Sequence, residues 1–472
     1  MSVTENGIDF NSFEREIFRG CCAAGREAIK IQLKSWDNEL MLNRDRSVYR
    51  HKGQRKTVLK TVMGEVEYER AVYERINEDG TKSYVYLLDE AMDLPSSGKM
   101  SGLLSGLIAE AVCEGTYRHA AKSVSEMTGQ TLSHMAAWTV TQQLGKRIDA
   151  QEQVASEAAA KSKGCGKLET PVLFEEQDGI VLNLQGKSRK KHGKNKEMKV
   201  AIAYDGAEKV GKNRYKLTNK VAAANFESAG NFIKRKEGKI AQTYNVDEIE
   251  ARILNGDGAS WIKRSVTDET VHFQLDTFHR NKAVLENVSH PEMRKYIFKL
   301  LYTKQTDLLL DHLEALANSV SDDKEYEKLQ TLLTYFTTNK DGLIGWHRRG
   351  FGLPNAPEGK EYRRLGAMES NIFTIIGNRM KGGRACWSVE GGNNLARLLT
   401  LKHTGKLRQS LDSLTTWTLP ERYAQEVMVS MSSAKAPKAD GKGFEPHRGG
   451  AAPATPEYKF LREICRTGVL TV

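Results

Sequence analysis

The chain is poor in cysteine, with six in 472 residues: Cys21, Cys22, Cys113, Cys165, Cys386 and Cys465. None forms a C-x-x-C pair and none clusters with histidine at zinc spacing, which argues against both a sulfur-ligated metal and a disulfide scaffold. The thiols are expected to be reduced and mostly buried. Long apolar runs are missing as well. No stretch approaches the roughly 18 residues that would span a bilayer, and the polar start MSVTENGIDFNSFERE contains no signal-peptide core. No membrane partner and no secretion are therefore expected. Internal repeats are also absent.

What the chain has instead is positive charge. Lysine and arginine number 71 against 60 acidic residues, giving a net charge of +11 and a pI near 9.1. Such a surface attracts polyanions, of which nucleic acid is the commonest. A hydrophobic fraction of 39% is enough to build cores, and the length suits about two to four domains.

Residues 1–100 read as one or two helices between Phe10 and Leu42, followed by a β-hairpin in RKTVLKTVMGEVEYERAVYE, where Gly64 separates two alternating runs. Residues 101–150 read as helices. Tyr117, Ala120, Ala121, Val124 and Met127 form one stripe, Gly129 supplies a turn, and Leu132, Met135, Ala136, Val140 and Leu144 form the next, with Thr131 or Ser133 as its N-cap. Two short helices around a glycine turn make a helix-turn-helix. Its second helix would offer Ser133, His134, Thr139, Gln142, Gln143, Lys146 and Arg147 to base edges and phosphates.

Residues 151–169 look like a helical linker, after which the pattern changes to strands. PVLFEEQDGIVLNLQ, MKVAIAYDG and NRYKLTNKVAAANF come first, then a helix from Glu227 to about Tyr244, the strand EARILNGDG, a short helix near Trp261 and the strand VHFQLD. The basic loop GKSRKKHGKNKEMK, with Lys190 and Lys191, lies between the first two strands and is either a solvated loop or a phosphate contact. This β-β-β-α-β-α-β order is that of an RNase H-like α/β domain, a mixed sheet with flanking helices, here 170–280. Residues 281–360 read as an all-helical insertion, and 361–431 as the last part of the core. Within it, a helix from Leu365 to Met380 buries Leu365, Met368, Ile372, Ile375 and Ile376 and leaves Glu369 at the stripe's edge. A Ser-, Lys-, Gly- and Pro-rich tail occupies 432–472.

Three acids stand out in this frame: Asp178 in a β-branched run, Asp257 directly after a strand, and Glu369 on the delayed helix. Carboxylates so distributed can clamp two Mg²⁺ ions roughly 3.5–4 Å apart, a hard cation being suited to oxygen ligands and Mn²⁺ an alternative. Strand alternation puts Glu176 on Asp178's face, as a supporting group or, with Glu175, as part of a charged strand edge. Glu390 in WSVEGGNN rivals Glu369, although its Gly-Gly pair disfavours a continuous helix.

At NGDGASW, QLDTFHRNKAV and GAMESNIFTIIGNRMKGGRACWS the chain resembles insertion-sequence transposases of the Mutator-like superfamily, and from about Asn43 to Thr400 it most resembles the ISLre-type members. The resemblance implies a bacterial DDE transposase that works in the cytoplasm at the nucleoid. Asp178, Asp257 and Glu369 match the family's three acids, and Trp261 falls four residues after the second. Asp276 and His279 match its C/D-x-x-H signature, which makes Asp276 a supporting residue more than a rival to Asp257. Arg379, Lys381 and Arg384, at and past the end of the catalytic helix, would hold phosphates. The implied partners are double-stranded DNA, as element ends and as target, and further copies of the chain, with no small-molecule substrate. A transposase descendant without catalysis and a nuclease without strand transfer are the alternatives.

Overall fold

The computed structural model describes residues 9–77, 79–94, 99–161 and 166–414. They divide into two compact units, one comprising the described residues up to Val112, Thr116–Trp138 and those from Leu411 on, the other Cys113–Gly115 and Thr139–Ser410. The end of the expected core, from 415 to 431, and the tail 432–472 lie outside the described residues, as do Cys165 and Cys465. Among the described cysteines only Cys113 is buried; Cys21 and Cys386 are exposed, which corrects the expectation of mostly buried thiols. No helix among the described residues is long and apolar enough to cross a membrane.

In the first unit a single 34-residue helix α1 (Phe10–Asn43) starts where the Asp9 carboxylate accepts from the Ser12 N–H. The expected hairpin is present and longer than its alternating core, as β1 (Tyr49–Thr61) and β2 (Gly64–Ile76), with β3 (Lys82–Val85) added on β2's other edge. Period-2 burial of Val66 and Tyr68, with Glu65, Glu67 and Glu69 outside, turns one face toward α1's Leu33. After α2 (Leu87–Ala91) and α3 (Gly102–Glu114) comes α4 (Tyr117–Thr128), which buries Ala120, Ala121 and Val124 and ends at Gly129 with φ 67°. Met127 and Met135, assigned to the buried stripes, are instead exposed.

The next helix, α5 (His134–Lys161), runs for 28 residues. It corrects two expectations at once: the second helix of the pair is not short, and most of the supposed linker 151–169 is its continuation. Alanine-rich sequence with no proline carries the helix on past Gly145, where a Cβ would come within 2.4 Å of Asn394.

The second unit is built on a five-stranded mixed sheet in the order β10-β9-β4-β5-β8. Its strands are β4 (Val172–Asn183), β5 (Asn195–Tyr204), β8 (Val221–Asn225), β9 (Ala251–Gly256) and β10 (Val271–Leu275). Only β5 opposes the others. The presumed basic loop after β4 is the helix α6 (Gly186–His192) plus the first residues of β5. The run from Asn213, read as one strand, is two, β7 (Arg214–Leu217) and β8; β7 pairs with β6 (Ala207–Gly211) as a separate hairpin. Asn219, at φ 50°, breaks the run.

Central position buries β4 on both faces, so its acids are not a charged edge. Glu175 is 1% exposed and meets Lys236 at 2.5 Å and Arg252 on one face. Lys236 belongs to α7 (Ala229–Thr243), whose Glu237 also binds both cations. Burial works against Glu237's charge, but Lys236 and Arg252 hold its carboxyl down at about 2. A carboxylate depressed on folding stabilises the native state above the unfolded value and loses that contribution as it protonates. The unit should therefore lose stability as pH falls from about 4.5 toward 2, read as a falling thermal midpoint, and Glu237→Gln should flatten that slope.

Beyond β9 and α8 (Ser260–Lys263), β10 leads into α9 (Thr277–Asn287). Three further helices, α10 (Pro291–Tyr302), α11 (Thr306–Ser319) and α12 (Asp323–Thr338), share a core of Ile297, Leu300, Leu309, Leu313, Leu332 and Phe336. α-Helix ends at Thr338, 3-10 turns follow at Lys340–Gly342 and Trp346–Arg348, and residues 349–367 contain no helix. Helical structure resumes as α13 (Met368–Ile372), a π-turn at Phe373–Gly377 and α14 (Asn378–Met380), one continuous run with Met368, Ile372, Ile375 and Ile376 buried as the stripe required. The last described elements are α15 (Val389–His403) and α16 (Leu407–Leu414). The first of these is unbroken across Gly391-Gly392, against expectation. A Cβ on Gly392 would come within 2.7 Å of the Phe226 ring, so the glycine serves close packing and does not end the helix.

Candidate functional site

One cleft of the second unit opens where β9 and β10 end while β4 continues. Its lining brings together Asp178 from β4, Asp257 just past β9, Asp276 and His279 at the start of α9, and Glu369 in the first turn of α13. Glu369 is exposed, at the edge of the buried stripe.

Each acid is set by its local backbone. Asp178 Oδ1 accepts from the Gly179 N–H at 2.7 Å, and Oδ2 stands 3.6 Å from His279 Nε2. Gly179 leaves room for the Glu197 side chain, whose carboxylate would have to shift if a Cβ were added there. Asp257 Oδ1 accepts from the Ala259 N–H at 2.8 Å, while its backbone carbonyl accepts from the Tyr335 hydroxyl at 2.7 Å. Gly258 beside it has φ 87°, and a Cβ would press on the Asn339 side chain at 2.5 Å. Gly258→Ala should thus cost at least about 1 kcal/mol of stability and lower the thermal midpoint by a few degrees; an unchanged melting curve would refute the strain.

Asp276 has little left to offer a ligand. Its Oδ1 caps α9 by accepting from the Phe278 and His279 N–H groups, and Oδ2 accepts from Asn255 Nδ2 at 2.7 Å. His279 gains proton affinity through its bond to Asp178, against the opposing effect of burial. Burial raises the Asp257 carboxyl, and the neighbouring Asp178 and Asp276 charges raise it further.

Glu176, fully buried, accepts from Tyr204, from Asn255 and from three successive backbone N–H groups at Gly366, Ala367 and Met368. Burial raises its carboxyl while these donors lower it.

Other expected site residues fall elsewhere. Trp261 is 8% exposed and lies edge-on to Phe232 in the core, so it is a packing residue outside the cleft lining. Gln142 is buried and accepts from Asn394 Nδ2 at 2.8 Å, which removes it from any DNA surface. Lys146 is exposed and pairs with Glu390 at 2.9 Å. Glu390 is therefore held outside the cleft lining. Ser133 spends its hydroxyl capping α5 through the Ala136 N–H, whereas His134 and Gln143 are exposed and Arg147 is half-buried. Lys190 and Lys191 on α6, and Lys381 and Arg384 after α14, are exposed; the Arg379 guanidinium lies 5.4 Å from the Trp387 ring centre.

Four residues at or behind the site escaped sequence reasoning. Phe278 stands at the cleft with more than half its surface exposed, and Glu197 lies over Gly179, its carboxyl raised by burial and by the Asp257 and Asp178 charges. Tyr335 and Asn255 act through hydrogen bonds to Asp257 and Asp276. Only Phe278, inside the D-x-x-H segment, carried a usable signal; the others depend on contacts far apart in sequence.

Among the described residues no three His, Cys, Asp or Glu side chains stand close enough together to enclose a metal ion as they are. The donor set nevertheless fits a hard divalent cation: Asp178, Asp257 and Glu369 line one cleft, and mutual repulsion already raises Asp257.

Residues 3–413 match the model of a family described as "Uncharacterised protein family (UPF0236)". A UPF0236 protein in the vanSb 3′ region of Streptococcus gallolyticus is 25% identical over 354 residues, covering 73% of this chain and 72% of its own. A UPF0236 protein of Caldanaerobacter subterraneus subsp. tengcongensis, named for eleven loci, is 24% identical over 416 residues, or 86% of this chain and 81% of its own. Among solved structures, the Drosophila P element transposase strand transfer complex aligns over 70% of this chain and 86% of that one at 12% identity, with a TM-score of 0.20, too low to show a shared fold.

Proposed function

This chain belongs to the UPF0236 family, and we propose that it is a DDE-type DNA transposase of an insertion sequence, with Asp178, Asp257 and Glu369 as its metal-binding catalytic acids. The observation that carries the reading is their meeting in one cleft from positions 79 and 112 residues apart, by subtraction of their numbers. Strand order β10-β9-β4-β5-β8 with only the second strand reversed supports an RNase H-like core. A relative named for eleven loci of one strain fits a sequence that multiplies within its host.

Bound at the three acids, Mg²⁺ or Mn²⁺ would make an oxygen nucleophile available near neutral pH and neutralise charge on the phosphodiester. The chain's own residues supply the rest. His279 holds the Asp178 carboxylate, and Tyr335 and Gly258 fix the backbone that aims Asp257. Phe278 offers a ring on which an unpaired base can stack. Exposed Lys190, Lys191, Lys381 and Arg384 give salt-dependent phosphate contacts. Cleavage at an element end leaves a 3′-OH, which then attacks target DNA at the same acids, so two ends and more than one copy of the chain are required.

The test uses end-labelled DNA containing the gene's flanking inverted repeats, purified full-length protein and Mg²⁺. Transposase activity predicts new 3′-OH ends at the repeats and joined products with a second duplex. Cleavage without joining would make the protein a nuclease, and binding without cleavage a DNA-binding descendant. Tyr335→Phe should slow cleavage several-fold at unchanged DNA affinity, since it removes one hydrogen bond worth about 1 kcal/mol; an unaltered rate would exclude that support.

A further inference from the structure

We propose that Glu176 is a positioning residue that clamps the start of the Glu369 helix onto the central strand and thereby sets where Glu369 stands relative to Asp178 and Asp257. This assignment rests on the metal-dependent reading of the cleft.

Glu176 precedes Asp178 by two residues on β4, so alternation gives both the same face of the sheet. Its Oε1 accepts from the Tyr204 hydroxyl at 2.7 Å and the Ala367 N–H at 3.1 Å. Oε2 accepts from Asn255 Nδ2 at 3.1 Å, the Gly366 N–H at 2.9 Å and the Met368 N–H at 3.3 Å. All five partners are neutral donors. The two carboxyl oxygens accept from all five as placed, whereas an amide nitrogen would face three donors at Oε2 or the Ala367 N–H at Oε1.

The three backbone groups belong to the turn that opens α13, where N–H groups have no partner inside the helix and the dipole is positive. Gly366, at φ 136° with open space around its missing Cβ, lets the chain present them in succession. The segment before the helix is tied down at Lys360 and Glu361, by the Asp205 carboxylate and the Ala207 backbone, and the clamp fixes the chain again at the helix start itself. Asn255 extends it: the same Nδ2 donates to Asp276, the cap of the helix bearing His279. One buried carboxylate thus joins the strand of the first acid to the helix of the third, across 190 residues and more.

Glu176→Gln and Ala367→Pro in the full-length chain test the clamp. Proline suits position 367, where φ is −76°; its Cδ replaces the donating hydrogen, which removes this bond and crowds Oε1 while the Glu176 carboxyl is retained. Hydrogen exchange at Gly366 and Met368 should accelerate about tenfold or more in Glu176→Gln, with Val200–Tyr204 still protected. Mn²⁺ titration followed by its paramagnetic resonance should show half-saturation raised about tenfold in Glu176→Gln and roughly two- to threefold in Ala367→Pro. High Mn²⁺ should restore DNA cleavage to both variants and not to Glu369→Ala. Unchanged exchange at Gly366 and Met368 would overturn the clamp. So would equal loss of protection along Val200–Tyr204, which marks a general core role, or wild-type Mn²⁺ half-saturation in both variants. If Glu176→Gln does not fold, Ala367→Pro decides by the same readings. A wild-type chain that binds no Mn²⁺ refutes the metal reading instead, and the exchange comparison then decides the clamp alone.

Discussion

Alanine at Asp257 is expected to reduce Mg²⁺-dependent cleavage of element-end DNA by about a thousandfold, with end binding within about twofold of wild type. A bound metal contributes several kcal/mol to such a reaction, and each 1.36 kcal/mol is a factor of ten. Asp257 is suited to so large an effect because its side chain faces the cleft while its backbone carbonyl, held by the Tyr335 hydroxyl, stays fixed when the carboxylate and its bond from the Ala259 N–H are removed. Removing the carboxylate therefore changes the chemistry and not the fold. Quantitative product analysis on a denaturing gel, paired with a mobility-shift titration, checks both halves. Full activity in this variant would transfer the second acid's role to Asp276, whose oxygens are already engaged by Asn255 and the α9 cap.

Glu175→Ala is expected to have the largest effect on stability, a loss of about 3–5 kcal/mol, because it leaves Lys236 and Arg252 facing a gap in the interior. Lys236 is only 3% exposed at its side chain and retains Glu237 alone. Replacing Glu175 and Lys236 together by Leu and Met should cost markedly less than Glu175→Ala, since no charge is then stranded. Chemical denaturation of the three proteins measures the difference. Equal losses would mean that the volume of the side chains matters and their charge does not.

The five-stranded sheet was legible because its strands are apolar runs bounded by glycine and charge, and because Asp178, Asp257 and Glu369 each sit at a break in pattern: a D-G inside a strand, a D-G after one, and the edge of a helical stripe. Those signals are local. Misreadings arose where tertiary packing overrode them. Gly391-Gly392 looks like a helix breaker, but the Phe226 ring needs its space. Gln142 has the chemistry of a base reader, yet it lies on the covered side of α5. Glu175 and Glu176 resemble an exposed strand edge, and only the sheet order, with β4 at the centre, explains why one charge meets cations and the other a helix start. The role of the helical segment was likewise illegible, because it depends on Tyr335 reaching the Asp257 carbonyl across 78 residues.

The central claim is that three dispersed carboxylates form one cation site. Crystals of the full-length protein soaked in Mn²⁺ and measured at the manganese absorption edge test it most directly. The account predicts anomalous density in the cleft, contacting Asp178, Asp257 and Glu369, and absent from crystals of Asp178→Ala. Manganese bound only elsewhere, or a cleft without anomalous density at saturating Mn²⁺, would contradict it.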